Sequence, residues 1–312
     1  MTTARLDHTD PDVRRTFVGG SDIAAVMGQS HWKTRLQLWA EKTGNIPAPD
    51  LSDVEHVQMG TKLESFIADE FAERTEKKIR RDSRTFVHPE FPYMVYHVDR
   101  WIVGEDAMLE CKNTSEFRAK DWEGESVPVE YVLQVNWGLG LMQKKVGYFC
   151  ALVGGNRIRI KSVEFSEELF ARQVAAAKDF WENFVLKNIA PLAGEGDSET
   201  LQQLFPTEQS EVIEFAGDAA EHFNHLIEER QGGVEQKKLV EAEIDNLTNQ
   251  IKQLLGEKTE GRTAQYTATW KAQRVAPFLD TEKLKADGVY EKYELNNQSR
   301  VMRTKATKGI KK

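Results

Sequence analysis

Cysteine is nearly absent from this chain: Cys111 and Cys150 are the two thiols among 312 residues. Two thiols cannot build a four-thiolate iron–sulfur cluster. No apolar run is long enough to cross a membrane and no signal peptide is apparent, so a cytoplasmic protein without membrane attachment is expected. Positive charge is also scarce, with 42 Lys and Arg against 50 Asp and Glu and a net charge of −8. Bulk attraction therefore cannot hold a polyanion, and local basic runs would have to do so. Two such runs exist, RTEKKIRRDSR at residues 74–84 and RVMRTKATKGIKK at residues 300–312. The first reads also as a solvated surface, and the second reads better as a frayed tail. Other familiar signatures fall short. GEKTEGRT at residues 256–263 has Arg262 where a phosphate-binding loop needs lysine, and a helix rather than a strand precedes it. His222 and His225 have the spacing of metal ligands on a helix but no third ligand near them, and read as surface or packing residues.

What is present is enough for two domains. Forty per cent of the residues are hydrophobic, ample for one substantial core. Composition shifts at the Gly-, Ser- and acid-rich AGEGDSET, which places a first domain at residues 1–192, a linker at 193–211 and an accessory module at 212–312. In that module Val240, Ile244, Leu247, Ile251 and Leu254 form a short heptad seam. Gly232-Gly233 is expected to separate it from a preceding helix that carries Phe223 and Leu226, giving a helical hairpin packed on itself. Tyr266, Ala268 and Trp270 alternate as a strand that SRVMRTKA could pair with, and Thr281–Ala286 reads as a short helix.

The chemistry concentrates in YMVYHVDRWIVGEDAMLECKN. Alternation runs through Val95, His97, Asp99 and Trp101; Gly104-Glu105-Asp106 turns the chain; Met108, Glu110 and Lys112 share one face of the returning strand. Two carboxylates and a lysine thus converge on a hairpin. Carboxylates within buried strands are costly unless their charge is offset, and a hard divalent cation held through oxygen is a common offset. Upstream, MGTKLESFIADEFAER carries Leu63, Phe66, Ile67 and Phe71 at helical spacing, with Glu64 at the border of that stripe. Downstream, VEYVLQVNWGLGLMQ places Tyr131, Gln134 and Gly138 on one helix face. GYFCALV, the turn Gly154-Gly155-Asn156 and RIRIKSVEF form a second hairpin whose last strand shows Arg157, Arg159 and Lys161 on one side, suited to a phosphate backbone or to a solvated edge. A long helix begins at Ser166, with Phe170, Val174, Ala177, Phe180, Trp181 and Phe184 inward. Near the start, Gly19-Gly20-Ser21 precedes a short helix that Ser21 is placed to cap, with free N–H groups open to an anion and Lys33 and Arg35 close behind.

Asp99, ten intervening residues, then Glu110-Cys111-Lys112 resembles the signature of the PD-(D/E)XK nuclease superfamily. With RRTFVGGSDIAAVMGQSHWKTRLQLWAEKTG, the Gly60…Glu64 pair and Tyr131-x-x-Gln134 in order, residues 14–190 resemble the YqaJ-like viral recombinase family, which includes lambda exonuclease. The resemblance implies an α+β fold with an α/β-type core, a mixed central sheet flanked by helices, and a smaller C-terminal module. It implies a Mg²⁺-dependent exonuclease on linear duplex DNA, working 5′ to 3′ and leaving 3′ overhangs, with two ions and Mn²⁺ as a substitute. Asp99, Glu110 and the Cys111 backbone carbonyl would hold metal, assisted by Glu64. Lys112 and Gln134 would serve the attacking water. Arg14 and Ser21 fall where a 5′-phosphate pocket is expected, with Lys33, Arg35 and Tyr131 as further DNA contacts, although the family's second phosphate-binding arginine has no clear equivalent. A ring-shaped homotrimer and a single-strand annealing protein as partner are implied as well. Two cysteines set the chain apart from the cluster-bearing exonucleases of this core. Two other readings stay open: an endonuclease with the same core, and a DNA-end-binding module without catalysis.

Overall fold

The computed structural model describes residues 2–4, 6, 10–49, 54–272, 279–292, 302 and 304. The chain forms two compact units, Met1–Pro206 and Thr207–Lys312.

The first unit contains strands β1 (Thr2–Ala4), β2 (Ile79–Arg81), β3 (Thr85–Val87), β4 (Val95–His97), β5 (Arg100–Ile102), β6 (Ala107–Thr114), β7 (Val146–Val153) and β8 (Arg157–Glu164). Its helices are α1 (Pro11–Arg14), α2 (Ile23–Val26), α3 (Arg35–Thr43), α4 (Glu55–Thr75), α5 (Val129–Met142), α6 (Glu167–Asp179) and α7 (Ser198–Leu204). A five-stranded mixed sheet has the order β2-β5-β6-β7-β8, and a three-stranded sheet the order β1-β3-β4. β6 and β7 are parallel, from Ala107↔Val146 to Thr114↔Val153. A parallel pair needs a crossover, and α5 lies in it. β7 returns antiparallel as β8 through Gly154 and Gly155, at φ 61° and 76°. Positive φ at both central positions is the demand of a tight hairpin turn, and glycine meets it without steric cost.

Helices cover both faces of the large sheet. On one, Ile67, Ala68 and Phe71 of α4 pack with Ile102, Leu109, Cys150 and Leu152. On the other, Val135, Trp137, Leu139 and Met142 of α5 share the main core with Met108, Phe149, Ala151, Phe180 and Trp181. Buried amides lock α6 to α5: Asn136 Nδ2 donates to the Gln173 side chain at 3.1 Å, and Gln173 Nε2 to the Leu133 carbonyl at 2.7 Å. Ser166 caps α6 by accepting from the Leu169 N–H, and a π-helical turn, Phe180–Val185, carries Phe180 and Trp181 inward. Phe66 is an exception to the expected stripe on α4. It lies one position off the Leu63–Ile67–Phe71 line and is exposed.

The segment expected as a linker contains residues packed into the first unit. Asp197 is buried, its carboxylate accepting from the Gly194 N–H and the Thr34 hydroxyl, and α7 packs Thr200 inward, so the first unit runs on to Pro206.

The second unit consists of α8 (Asp218–Leu255), a β9–β10 hairpin (Glu260–Arg262 with Thr267–Thr269) and α9 (Thr281–Ala286). Among the described residues α8 runs unbroken through Gly232-Gly233 for 38 residues, in place of the expected helical hairpin. Each helical glycine costs about 1 kcal/mol relative to alanine, which 36 other residues can absorb. Val240, Ile244, Leu247, Ile251 and Leu254 lie along α8, 46% to 88% exposed. The strand containing Ala268 pairs with Glu260–Arg262, inside the glycine-containing segment dismissed above as a phosphate loop. The expected pairing with SRVMRTKA and the basic run at 300–312 fall outside the described residues, except Met302 and Thr304.

Candidate active site

Asp99 stands between β4 and β5, where the chain leaves the three-stranded sheet and joins the five-stranded one. The unbroken strand suggested by alternation from Val95 to Trp101 is thus two strands in two sheets. β5 pairs with β6 only through Arg100↔Leu109 and Trp101↔Met108, whereas β6 continues beside β7 to Thr114. From Glu110 onward the β5 side of β6 has no partner strand in the described ladder. Asp99 occupies that notch, its Oδ2 accepting from the Cys111 N–H at 2.8 Å. In an extended strand the N–H and C=O of one residue point to the same side, so the Cys111 carbonyl faces the notch too.

Glu110 is almost fully engaged. Its Oε1 accepts from Lys112 Nζ at 2.8 Å and Gln134 Nε2 at 2.6 Å, and its Oε2 from the Tyr96 hydroxyl at 2.8 Å. Lys112 Nζ also donates to Gln134 Oε1 at 3.0 Å and lies 4.6 Å from the centre of the Tyr131 ring. Since an ammonium only donates, Gln134 must turn its oxygen to Lys112 and its amide nitrogen to Glu110. Burial acts to lower Lys112, but Glu110 and Asp99 outweigh it and hold the amine above the usual lysine range. Lys112 is therefore an ammonium. Burial, then the charge of Glu110, pushes Asp99 well above the carboxylate range, with Lys112 opposing. The cluster is short of positive charge.

Beside it lies an open pocket of about 180 Å³ lined by Arg14, Phe17, Gly19, Gly20, Ser21, Tyr96, His97, Asp99 and Gln134. Arg14 and Ser21 thus line the same pocket as Asp99 and Gln134. The local chemistry differs from the expected cap. α2 has four residues, and Asp22, not Ser21, precedes it without a capping bond. Asp22 accepts from the Gly19 N–H at 3.0 Å and from Lys42 Nζ at 2.7 Å, while Lys42 donates also to the Arg14 carbonyl at 2.7 Å. A buried ion pair thereby fixes the two ends of the Arg14–Ser21 loop.

Lys33 and Arg35 do not line the pocket. Lys33 pairs with Glu41. Arg35 pairs with Asp179 at 2.8 Å and lies over the Phe184 ring, because Thr34 caps α3 and starts a helix that turns Arg35 toward α6. Tyr131 touches the site through Lys112. Glu64 accepts from Arg100 Nη1 at 2.6 Å. Sequence reasoning missed Tyr96, Arg100 and the Asp22–Lys42 pair. A signal for Tyr96 was available in Gly20 and Gly138, whose added Cβ atoms would stand 2.7 and 2.4 Å from its ring.

Among the described residues no cluster of three or more His, Cys, Asp or Glu is arranged to hold a metal ion. Two carboxylates and a carbonyl nevertheless fit a small hard cation. Mg²⁺ retains several waters and commonly binds through one or two carboxylates plus a substrate phosphate. The donors are all oxygen, and their charge is under-compensated.

A mixed sheet flanked by helices, with Asp99 at a strand junction and Glu110-x-Lys112 on the adjoining central strand, is the arrangement that the resemblance to the PD-(D/E)XK signature implies. Residues 11–144 match the YqaJ-like viral recombinase domain. The chain is 36% identical over 287 residues to the uncharacterized protein YqaJ of Bacillus subtilis (strain 168), covering 89% of this chain and 88% of that one. It belongs to the YqaJ-like viral recombinase family. Weaker likenesses of fold are found to an alkaline exonuclease, LHK-Exo, from Laribacter hongkongensis, at 14% identity and TM-score 0.46, covering 57% of this chain and 93% of that one. A phage related exonuclease from Haemophilus somnus shares 10% identity at TM-score 0.42, over 55% of this chain and 96% of its own.

Proposed function

We propose that the protein is a divalent-metal-dependent exonuclease that digests the 5′-ended strand of linear duplex DNA and leaves a 3′ overhang for recombination by strand annealing. One observation carries this reading: Asp99 and Gln134 belong both to the carboxylate–lysine cluster and to the wall of the pocket lined by Arg14 and Ser21. A terminal phosphate held by the Arg14 guanidinium and the Ser21 hydroxyl would leave an adjacent phosphodiester beside Asp99, Glu110 and Lys112. Asp99, Glu110 and the Cys111 carbonyl are the residues to hold Mg²⁺ or Mn²⁺. Such an ion, when bound, polarises a phosphoryl oxygen and acidifies a water. Lys112, kept cationic, donates to negative charge developing on the phosphate and orients the attacking water. Gln134 holds Lys112 and Glu110 in register without adding a charge. Glu64 fixes Arg100, whose Nη1 donates also to the Asp99 carbonyl at 2.7 Å, and so steadies the strand junction. A homotrimer closed around the duplex and an annealing protein on the 3′ strand complete the proposal.

The test is incubation of linear and closed-circular duplex with the protein and Mg²⁺. Loss of the linear form alone, with release of 5′-mononucleotides and no reaction in EDTA, is expected. Asp99→Ala or Lys112→Ala should abolish hydrolysis while DNA-end binding persists. Cutting of closed circles would replace the exonuclease by an endonuclease. Turnover in EDTA would remove the metal assignment.

A further inference from the structure

The Tyr96 hydroxyl reaches Glu110 from inside the protein. Tyr96 is 1% exposed, and its ring lies between the Gly19–Ser21 loop and α5, where neither Gly20 nor Gly138 tolerates a side chain without meeting ring carbons. On the same strand, the Val95 carbonyl accepts from Trp137 Nε1 at 2.9 Å, so the backbone carrying Tyr96 is tied to α5 as well. An ionised carboxylate has about four acceptor positions. Glu110 gives one to Tyr96, one to Lys112 and one to Gln134, which leaves about one for a cation, whereas Asp99 is engaged at only one by the described protein groups.

We propose that Tyr96 is the positioning residue for Glu110: its hydroxyl sets the rotation of the carboxylate, so that the one remaining lone pair points into the notch at Asp99. Lys112 and Gln134 both hold Oε1, whereas the Tyr96 hydroxyl is the donor that the described residues place on Oε2. The Tyr96 bond to Oε2 supplies the second fixed point. Gly20 and Gly138 have the matching task of admitting the ring. The same ring touches the loop of the Arg14 pocket and, through its hydroxyl, the metal-binding carboxylate. This inference rests on the nuclease reading for its activity arm alone, since cation binding by DNA-free protein can be measured without it.

The decisive variant is Tyr96→Phe, which keeps the buried ring and removes one hydroxyl. Mn²⁺ titration of DNA-free protein by calorimetry should show affinity weakened by about 10- to 100-fold, the usual effect of losing a group that orients a ligand. Turnover on linear duplex should fall by a similar factor at fixed Mn²⁺ and recover in part at higher Mn²⁺, while KM for DNA ends stays near wild type. Gly138→Ala, which displaces the ring but keeps the hydroxyl, should reproduce the weaker Mn²⁺ binding. Unchanged Mn²⁺ affinity in a folded Tyr96→Phe protein would overturn the proposal. So would a defect in both variants that follows loss of thermal stability and leaves Mn²⁺ affinity intact in the folded fraction. If wild type binds Mn²⁺ without hydrolysing DNA, the proposed function fails while the Tyr96 comparison retains its meaning.

Discussion

Asp99 shows what burial beside a second carboxylate costs the residue that carries it. In the unfolded chain its carboxyl titrates in the ordinary range, whereas in the fold burial and the neighbouring Glu110 raise its pKa. The folded protein therefore binds the proton more tightly. Stability is lost as pH rises from the unfolded pKa toward the folded one, and the penalty is fully present above both. Asp99→Asn should accordingly raise the melting temperature in EDTA at pH 8, with a gain that shrinks as the pH is lowered toward the usual carboxylate range. Mg²⁺ should stabilise wild type and leave the variant nearly unchanged. Calorimetric scans with and without the ion at two pH values decide it, and equal midpoints for the two proteins in EDTA at pH 8 would contradict the charge deficit. At this scale sequence brought Glu110, Lys112 and Gln134 together through strand and helix periods, as the fold does, whereas Asp99 joins them from a junction outside both strands. It served poorly for Lys33 and Arg35. Proximity along the chain says nothing about the direction a capped helix imposes, and α3 turns Arg35 toward Asp179.

Among elements, those with a strong local code were legible. The Gly154-Gly155 turn, the helix of Gln134, the Ser166 cap and the short helix Thr281–Ala286 all lie where the pattern placed them. The switch of sheet at Val98-Asp99 was not legible, since the alternation of Val95, His97, Asp99 and Trp101 passes through it unbroken. Only pairing with β3 on one side and β6 on the other separates the two strands. Gly232-Gly233 misled in the opposite direction, as a pair of poor helix formers that a long helix tolerates. Their added Cβ atoms would meet no other atom within 4 Å. Gly232→Ala and Gly233→Ala should therefore each stabilise α8 by about 1 kcal/mol. Circular dichroism of the full chain during urea unfolding can check this. A loss of stability in either variant would show that the backbone there needs glycine.

For the whole molecule, a net charge of −8 means that the DNA affinity proposed above would have to come from a few placed cations. Several candidates are already committed: Arg74 pairs with Glu70, Lys77 with Glu105, Arg84 with Asp82, and Arg157 with Glu116. The dependence of DNA-end binding on salt should thus be shallow, with a slope of about −0.9 per phosphate neutralised. Arg14→Ala should reduce that slope by about one and remove any preference for 5′-phosphorylated over 5′-hydroxyl ends. Binding isotherms at three salt concentrations on matched duplexes measure both, and an unchanged slope would show that Arg14 is not a phosphate contact. The junction between the two sheets has a consequence in time as well as in space. Asp99 has no defined position until β4 has paired with β3 and β5 with β6, and β6 gains its second neighbour only when β7 is added. A growing chain on the ribosome therefore carries Asp99, Glu110, Lys112 and Gln134 before it can hold them together. On the proposed nuclease reading, an unfinished chain would carry these side chains without the site they form.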